Sequence, residues 1–302
     1  PFVTTTSGKG IVHEESTYSF GNIMQKNIVR EILESADIII AVGTRLRDVD
    51  AKRRGVRIKE LVHIDVDQQW MDKNYPARLK ISGDVKKGMD VLYYALKKRF
   101  FAWNLERLKD AHRKNLSSLK KTSTGFQLTR LIRKAVPDDA ITIWDLNLPS
   151  YWAEYYFPVY QQNSFIMPRG ISPIFYSFPA SIGAKLGKME KPCLSVCGDG
   201  SILPTIGELS TIQKYKIPAV ILLYNNKSFG LLEEYMTGTY GMKGSMDLYN
   251  PDFIKLAQSF EVKAKKTRTM EGLKKILLRD ITWDEPFLIE FDYPVFPPPW
   301  KT

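Results

Sequence analysis

Gly198-Asp199-Gly200-Ser201 and Asn225-Asn226 are the residues of this chain whose types and spacing point most directly to chemistry. The first cluster breaks the apolar run Cys193 to Cys197, as a strand ending in a glycine turn would. Pro204 and the spacing Ile206, Leu209, Ile212 then predict a helix to about Tyr215, and Ala219 to Tyr224 predicts a second buried strand. In a right-handed crossover of this kind both clusters fall at the carboxyl ends of neighbouring parallel strands, where open α/β sheets bind ligands. One carboxylate and one carboxamide oxygen, without paired His or Cys, form a hard oxygen-only set suited to Mg²⁺ or Ca²⁺ and not to zinc. Two side chains are too few for a cage, which leaves positions for a backbone carbonyl, water and a phosphate. Gly198 and Gly200 permit close backbone approach, and the following helix aims free N–H groups at the same spot. A diphosphate bridged by Mg²⁺ meets both demands.

The surrounding chain reads as α/β, with two three-layer domains built on mainly parallel sheets. Residues 1–100 read as a Rossmann-like domain: a strand entering a glycine loop at residues 1–10, a helix over Ile28, Ile32 and Leu33, and strands at Asp37 to Gly43, Leu61 to Asp67 and Leu79 to Asp84; the family resemblance given below makes this domain incomplete, without its first strand and helix. A helix through Val85, Met89, Leu92 and Leu96 follows the last of these. Residues 101–123 read as a basic helical linker and carry no identifiable chemistry. The second domain, 124–302, opens with the helix Phe126 to Ala135 and the strand Ala140 to Trp144, and it closes in a proline-rich tail expected to lie over the surface.

Composition narrows the setting. The formal charge of +11 is spread over helix faces without a nucleic-acid-binding motif, so it reads as a solvated surface with some steering of anionic substrates. Neither a long apolar span nor a leader stands out, and two cysteines on one strand face, too far apart to bridge, suit a reducing cytoplasm.

Taken together, Gly198-Asp199-Gly200, the spacer and Asn225-Asn226 resemble the signature of thiamine diphosphate enzymes of the acetolactate synthase, benzoylformate decarboxylase and pyruvate oxidase group. The resemblance implies that Asp199, Asn226 and the Ser228 carbonyl bind Mg²⁺, and that Gly198, Gly200, Ser201 and Gly230 belong to the cofactor site. Registration against Pro179-Ala180 makes Ile174 the bulky wedge that holds the cofactor bent, with the Ser172 carbonyl accepting from its 4′-amino group. Ser172, Pro173 and Phe175 stand where relatives have small residues or glycine, and Asn147-Leu148-Pro149-Ser150 replaces Gly-Gln-His-Gln, leaving Asn147 and Ser150 as hydrogen-bonding candidates. Leu232 occupies the place of a catalytic Glu in pyruvate-type decarboxylases, and Glu233 would point a quarter turn away.

The implied function is decarboxylation or carboligation of a 2-oxo acid. A flavin-bearing pyruvate oxidase-like relative and a non-catalytic regulatory or scaffold subunit are the alternatives. FAD is the less favoured cofactor, because Gly43 to Asp48 sits at a strand end without a dinucleotide fingerprint. Against the family the sequence reads as a fragment that begins at the second strand of the middle domain. It lacks the N-terminal pyrimidine-binding domain and the Glu that activates the cofactor, so residues 1–302 alone are expected to be inactive. The expected partners are that domain or a companion chain, a 2-oxo acid, and further copies in a dimer or tetramer; neither nucleic acid nor membrane is expected.

Overall fold

In the computed structural model the described residues are 1–24, 28–47, 55–96, 105–242 and 244–301. They divide into two compact units, one of residues 1–6 and 16–118, the other of residues 7–15 and 119–302.

In the first unit β1 (Phe2–Thr4) pairs in parallel with β2 (Ser19–Asn22), and α1 (Ile28–Ser35) follows. A separate parallel sheet has the order β3 (Ile39–Val42), β4 (Leu61–Asp65), β5 (Leu79–Ser82), with α2 (Val85–Leu96) after it. Apolar runs of this kind predict strands covered on both faces, yet Ile40 and Leu79 are exposed and α2 buries no residue. A run of Ile and Leu specifies a strand but not how many layers cover it. Asp65 and Asp67 do local work: Asp65 Oδ1 accepts from the Asp67 N–H, and Asp67 caps the turn Gln68–Trp70. The end of the loop considered for flavin, Asp48, and residues 100–104 of the linker lie outside the described residues. Helix α3 (Leu105–Thr122) is less of a linker than its charge suggests, because Leu108 is buried with Phe20, Val29 and Ile32.

The second unit begins with residues 7–15, which the sequence reading placed in the first domain. Three contacts within the second unit explain the difference. The buried Lys9–Glu14 ion pair closes at 2.9 Å, Glu14 Oε2 accepts from the Val159 N–H, and Gly10, at φ +84°, lies where a Cβ would meet the Gln161 carbonyl oxygen at 2.2 Å. After α4 (Thr124–Ala135) come β6 (Ile141–Trp144), α5 (Leu148–Tyr156), β7 (Phe165–Ile166), α6 (Ser177–Gly187), β8 (Cys193–Gly198), α7 (Asp199–Ile202), α8 (Glu208–Lys214), β9 (Val220–Asn225) and α9 (Gly230–Tyr240). The unit continues with α10 (Phe253–Ser259), β10 (Lys263–Thr267), α11 (Met270–Lys275) and β11 (Phe287–Asp292). Its six strands form one parallel sheet in the order β10-β11-β9-β8-β6-β7. Every residue of β8 and β9 is buried, which is why both read as unbroken apolar runs.

Two sequence expectations are corrected here. The helix predicted from Pro204 starts five residues earlier, at Asp199, and is broken by a tighter turn at Leu203–Thr205 before α8; Pro204 has no N–H to donate to a continuous helix. The proline-rich tail is a loop, but a pinned one: Phe296 and Pro299 are buried, the Trp152 indole donates to the Pro297 carbonyl at 2.8 Å, and the Tyr224 hydroxyl donates to the Pro294 carbonyl at 2.8 Å.

Cys193 and Cys197 are both free and fully buried. Burial pushes the Cys193 thiol up to about 12 and the Cys197 thiol well above its ordinary value. Both are thiols rather than thiolates near neutrality, so a disulfide reagent is expected to label neither cysteine in the folded protein and both once it is unfolded. Labelling at native conditions at the rate of a free thiol would show that β8 is not the buried centre of this sheet. Among the described residues, no helix is long and apolar enough to cross a membrane.

Candidate functional site

Neighbouring parallel strands β8 and β9 run in a register that sets Gly198 beside Tyr224, so Asp199 and Asn225 emerge at the same level and Asn226 one residue beyond. A partly open cavity of about 740 Å³, its mouth included, lies at these strand ends. Its wall contains Asn147, Ile174, Gly198, Asp199, Gly200, Ser201, Asn226, Ser228 and Gly230, all of them positions picked out by the sequence. Ser150 and Ser172 are not on the wall.

Asp199 is 2 % exposed, and burial pushes its carboxyl up from the ordinary value, against hydrogen bonds from Asn250 and from the Gly200 N–H that favour the ionised form. It is the one charged side chain among the cavity-lining residues. Nearby, Asn226 Nδ2 is buried without a hydrogen-bond partner. Ser228 pairs with Asp247 in an antiparallel bridge whose bonds are made by its neighbours: the Phe229 N–H donates to Met246 O and the Leu248 N–H to Lys227 O, both at 2.9 Å. In such a pair the central residue's own carbonyl points away from the partner segment. A buried carboxylate, a carboxamide and a backbone carbonyl are the ligands a hard divalent cation takes together with water and phosphate. No group of three or more His, Cys, Asp or Glu side chains suited to a metal occurs among the described residues, so an all-protein cage is not formed there. A metal–diphosphate pair therefore fits the residues present.

The glycines act differently from the sequence expectation. Neither Gly198 nor Gly200 has a positive φ, so no glycine turn is present. Gly200 is required for space: a Cβ there would come within 2.4 Å of the Phe229 ring. A Cβ at Gly230 would meet Asn226 Nδ2 at 2.4 Å, so this glycine lets α9 start against the asparagine. No side-chain cap closes that start, and Gly230, Leu231 and Leu232 line the cavity. This leaves the Gly230 and Leu231 N–H groups of an eleven-residue helix available to an anion, the Leu232 N–H already donating to the Phe229 carbonyl at 2.8 Å.

Ser201, Asn147 and Ser150 are occupied with one another's surroundings more than with the cavity. Asn147 Oδ1 accepts from Ser150 N at 3.0 Å and from Ser150 Oγ at 2.7 Å, capping α5, and Ser150 is fully buried. The Ser201 hydroxyl donates to Asp145 Oδ2 and accepts from the Phe175 N–H at 3.0 Å. Asp145 Oδ2 also accepts from the N–H groups of Tyr176 and Ser177 at 3.2 and 3.3 Å. Asp145, buried at the end of β6, is thus the anchor of the loop that presents Ile174. In that loop Ser172 and Phe175 have φ of 53° and 71°, the region that favours glycine. Holding a side chain there costs about 1–2 kcal/mol per residue, which is the physical content of their departure from the family pattern. Ile174 itself is 37 % exposed on the cavity wall and is not core. Leu232 lines the cavity, whereas Glu233 accepts from Ser228 Oγ at 3.1 Å, as the quarter-turn argument requires.

Sequence reasoning missed Asp145 as the loop anchor and Asn250, whose amide bridges Asp199 and Asn225. Asn250-Pro251-Asp252 signals a helix start, and Asp252 does cap α10. Nothing in that local pattern announces a reach to a turn fifty-one residues away.

Comparison with known proteins converges on the same region. Residues 148–291 match the family model described as "Thiamine pyrophosphate enzyme, C-terminal TPP binding domain", and residues 1–92 match "Thiamine pyrophosphate enzyme, central domain". A probable acetolactate synthase large subunit of Methanococcus aeolicus is 28 % identical over 96 % of this chain and 53 % of its own length. A probable 2-ketoarginine decarboxylase of Pseudomonas aeruginosa is 28 % identical over 92 % of this chain and 50 % of its own. The isozyme 2 acetolactate synthase large subunit of Escherichia coli is 22 % identical over 99 % and 57 %, respectively. The chain spans about half the length of the curated relatives it matches.

Proposed function

Because this chain belongs to the thiamine pyrophosphate enzymes, with their central and C-terminal TPP-binding domains, we propose that it serves a thiamine diphosphate-dependent 2-oxo acid decarboxylase or carboligase of acetolactate synthase type. Asp199, Asn226 and the Ser228 carbonyl would hold Mg²⁺ against the diphosphate. The open start of α9, which Gly230 lets sit against Asn226, would receive the phosphate oxygens. The observation that carries the reading is that an anion site with a single acidic lining side chain and no basic one needs a divalent cation to reverse its sign. When bound, thiamine diphosphate would supply the nucleophile for a keto carbon and the sink for the electron pair left behind when CO₂ departs. The chain's own residues bind and orient: Asp145, through Ser201 and the Phe175 N–H, fixes the loop that sets Ile174 against the cavity. Leu232 in place of an acid leaves no carboxyl at that position of the wall, which supports the acetolactate synthase and benzoylformate decarboxylase branches over the pyruvate-type decarboxylases. The N-terminal pyrimidine-binding domain or a companion chain, and further copies of this chain, are the proposed partners.

The test is CO₂ release from a 2-oxo acid by the intact protein. Turnover is expected only with both thiamine diphosphate and Mg²⁺, to vanish with a chelator and to return on adding Mg²⁺. Full turnover in a metal-stripped sample would overturn the assignment, and visible flavin absorbance in the active protein would shift the reading to a pyruvate oxidase-like relative.

A further inference from the structure

The amide of Asn250 lies between the two strand ends that form the site. Its Nδ2 donates to Asp199 Oδ2 at 2.8 Å and to Asn225 Oδ1 at 2.9 Å. Both hydrogens of that nitrogen are therefore used. The direction of these bonds is fixed by the next partners. Asn225 Oδ1 also accepts from the Lys227 N–H, and Asn225 Nδ2 donates to Glu290 Oε1, a buried carboxylate that pairs with Lys266. Turning either amide over would set oxygen against oxygen. The chain of donors thus runs from Asn250 toward Asp199 on one side and toward the sheet centre on the other.

The same short segment also holds Ser228. Met246 and Leu248 make the ladder bonds to Phe229 and Lys227, and Asn250 follows two residues later. Asp199 is held through its carboxylate, and Ser228 through the backbone on both sides. Asn226 lies between Asn225 and Lys227, which are themselves bonded. Resting on the metal–diphosphate reading above, we propose that Asn250 is a positioning residue for the metal ligands. It ties the end of β8 to the end of β9 before any ligand arrives, so that the oxygen ligands are already spaced for a cation. Partners of this outer kind typically contribute 10- to 100-fold to metal affinity.

The experiment is calorimetric titration of the intact protein with thiamine diphosphate at fixed Mg²⁺, and with Mg²⁺ at fixed thiamine diphosphate, on wild type, Asn250→Ala, Asn250→Leu and Asp199→Ala. Leu keeps the volume without the donors, so one of the two Asn250 variants remains informative if the other folds poorly. The expected result is a loss of about 10- to 100-fold in affinity and a matching rise in the Mg²⁺ requirement for both Asn250 variants, with ligand-free melting temperatures within a few degrees of wild type. A lowered melting temperature with wild-type affinity and Mg²⁺ requirement would make Asn250 a structural residue only and overturn the proposal. If Asp199→Ala also binds like wild type, the metal-site reading itself fails and Asn250 fails with it; normal binding confined to the Asn250 variants overturns Asn250 alone.

Discussion

Asp199→Ala is expected to weaken binding of magnesium thiamine diphosphate to the intact protein by at least about 100-fold, beyond the range seen for outer-shell changes. The magnitude follows from the charges on the cavity wall. Asp199 is the only acidic side chain among the residues that line it, so the metal has no second carboxylate to fall back on. The residual binding should also change in kind. In the wild type, diphosphate must arrive with a cation, because the uncovered carboxylate repels it; in the variant that repulsion is gone, and what binding remains should depend little on Mg²⁺. Stability should move far less than binding. Burial already disfavours the charged form of Asp199, so losing it removes a cost as well as the hydrogen bonds from Asn250 and Gly200. Calorimetry with and without Mg²⁺, alongside melting curves, reads all three effects, and unchanged Mg²⁺-dependent affinity would falsify the site.

Why Asp199 and Asn226 were legible in the sequence, and Asn250 was not, comes down to the range of the forces involved. The two strand ends declare themselves locally, since a fully buried parallel strand must be an unbroken apolar run and the first polar residues after it mark where the sheet stops. The order of the two runs, joined by helical residues, then fixes them as neighbours with one hand of crossover. Glycine meanings were only half legible. Gly200 marks a close approach, but what approaches is the Phe229 ring rather than a turn of its own backbone. Asn250, the arm of residues 7–15 and the pinning of the tail by Trp152 and Tyr224 depend on pairs far apart in the chain. Periodicity carries no information about such pairs. The early start of α7 was hidden for another reason, because Pro204 signals a helical first turn equally well as the start of a helix or as the break inside one.

Trimming Ile174 to Ala should separate turnover from binding. The side chain stands 37 % exposed on the cavity wall, so its truncation forfeits little packing, about 1 kcal/mol by partial burial of an aliphatic side chain, and the fold should survive. The diphosphate anchor proposed at Asp199, Asn226 and Ser228 is untouched, so affinity for magnesium thiamine diphosphate should fall by no more than a few-fold. The catalytic rate is another matter if Ile174 is, as proposed, the wedge under the bound rings. A misplacement of about 1 Å between reacting groups costs on the order of 100-fold, and a shorter side chain leaves room for such a shift. The loop is built to prevent it: Asp145 and Ser201 hold the Phe175 N–H, and Ser172 and Phe175 keep strained backbones on either side of the Ile174 position. That strain has no use if Ile174 merely fills space. Ile174→Leu, which keeps the volume, should retain most of the rate that Ile174→Ala loses. A drop of about 100-fold in kcat with near-normal affinity is the expected pattern, whereas equal losses in both, or a large fall in melting temperature, would place Ile174 among ordinary packing residues.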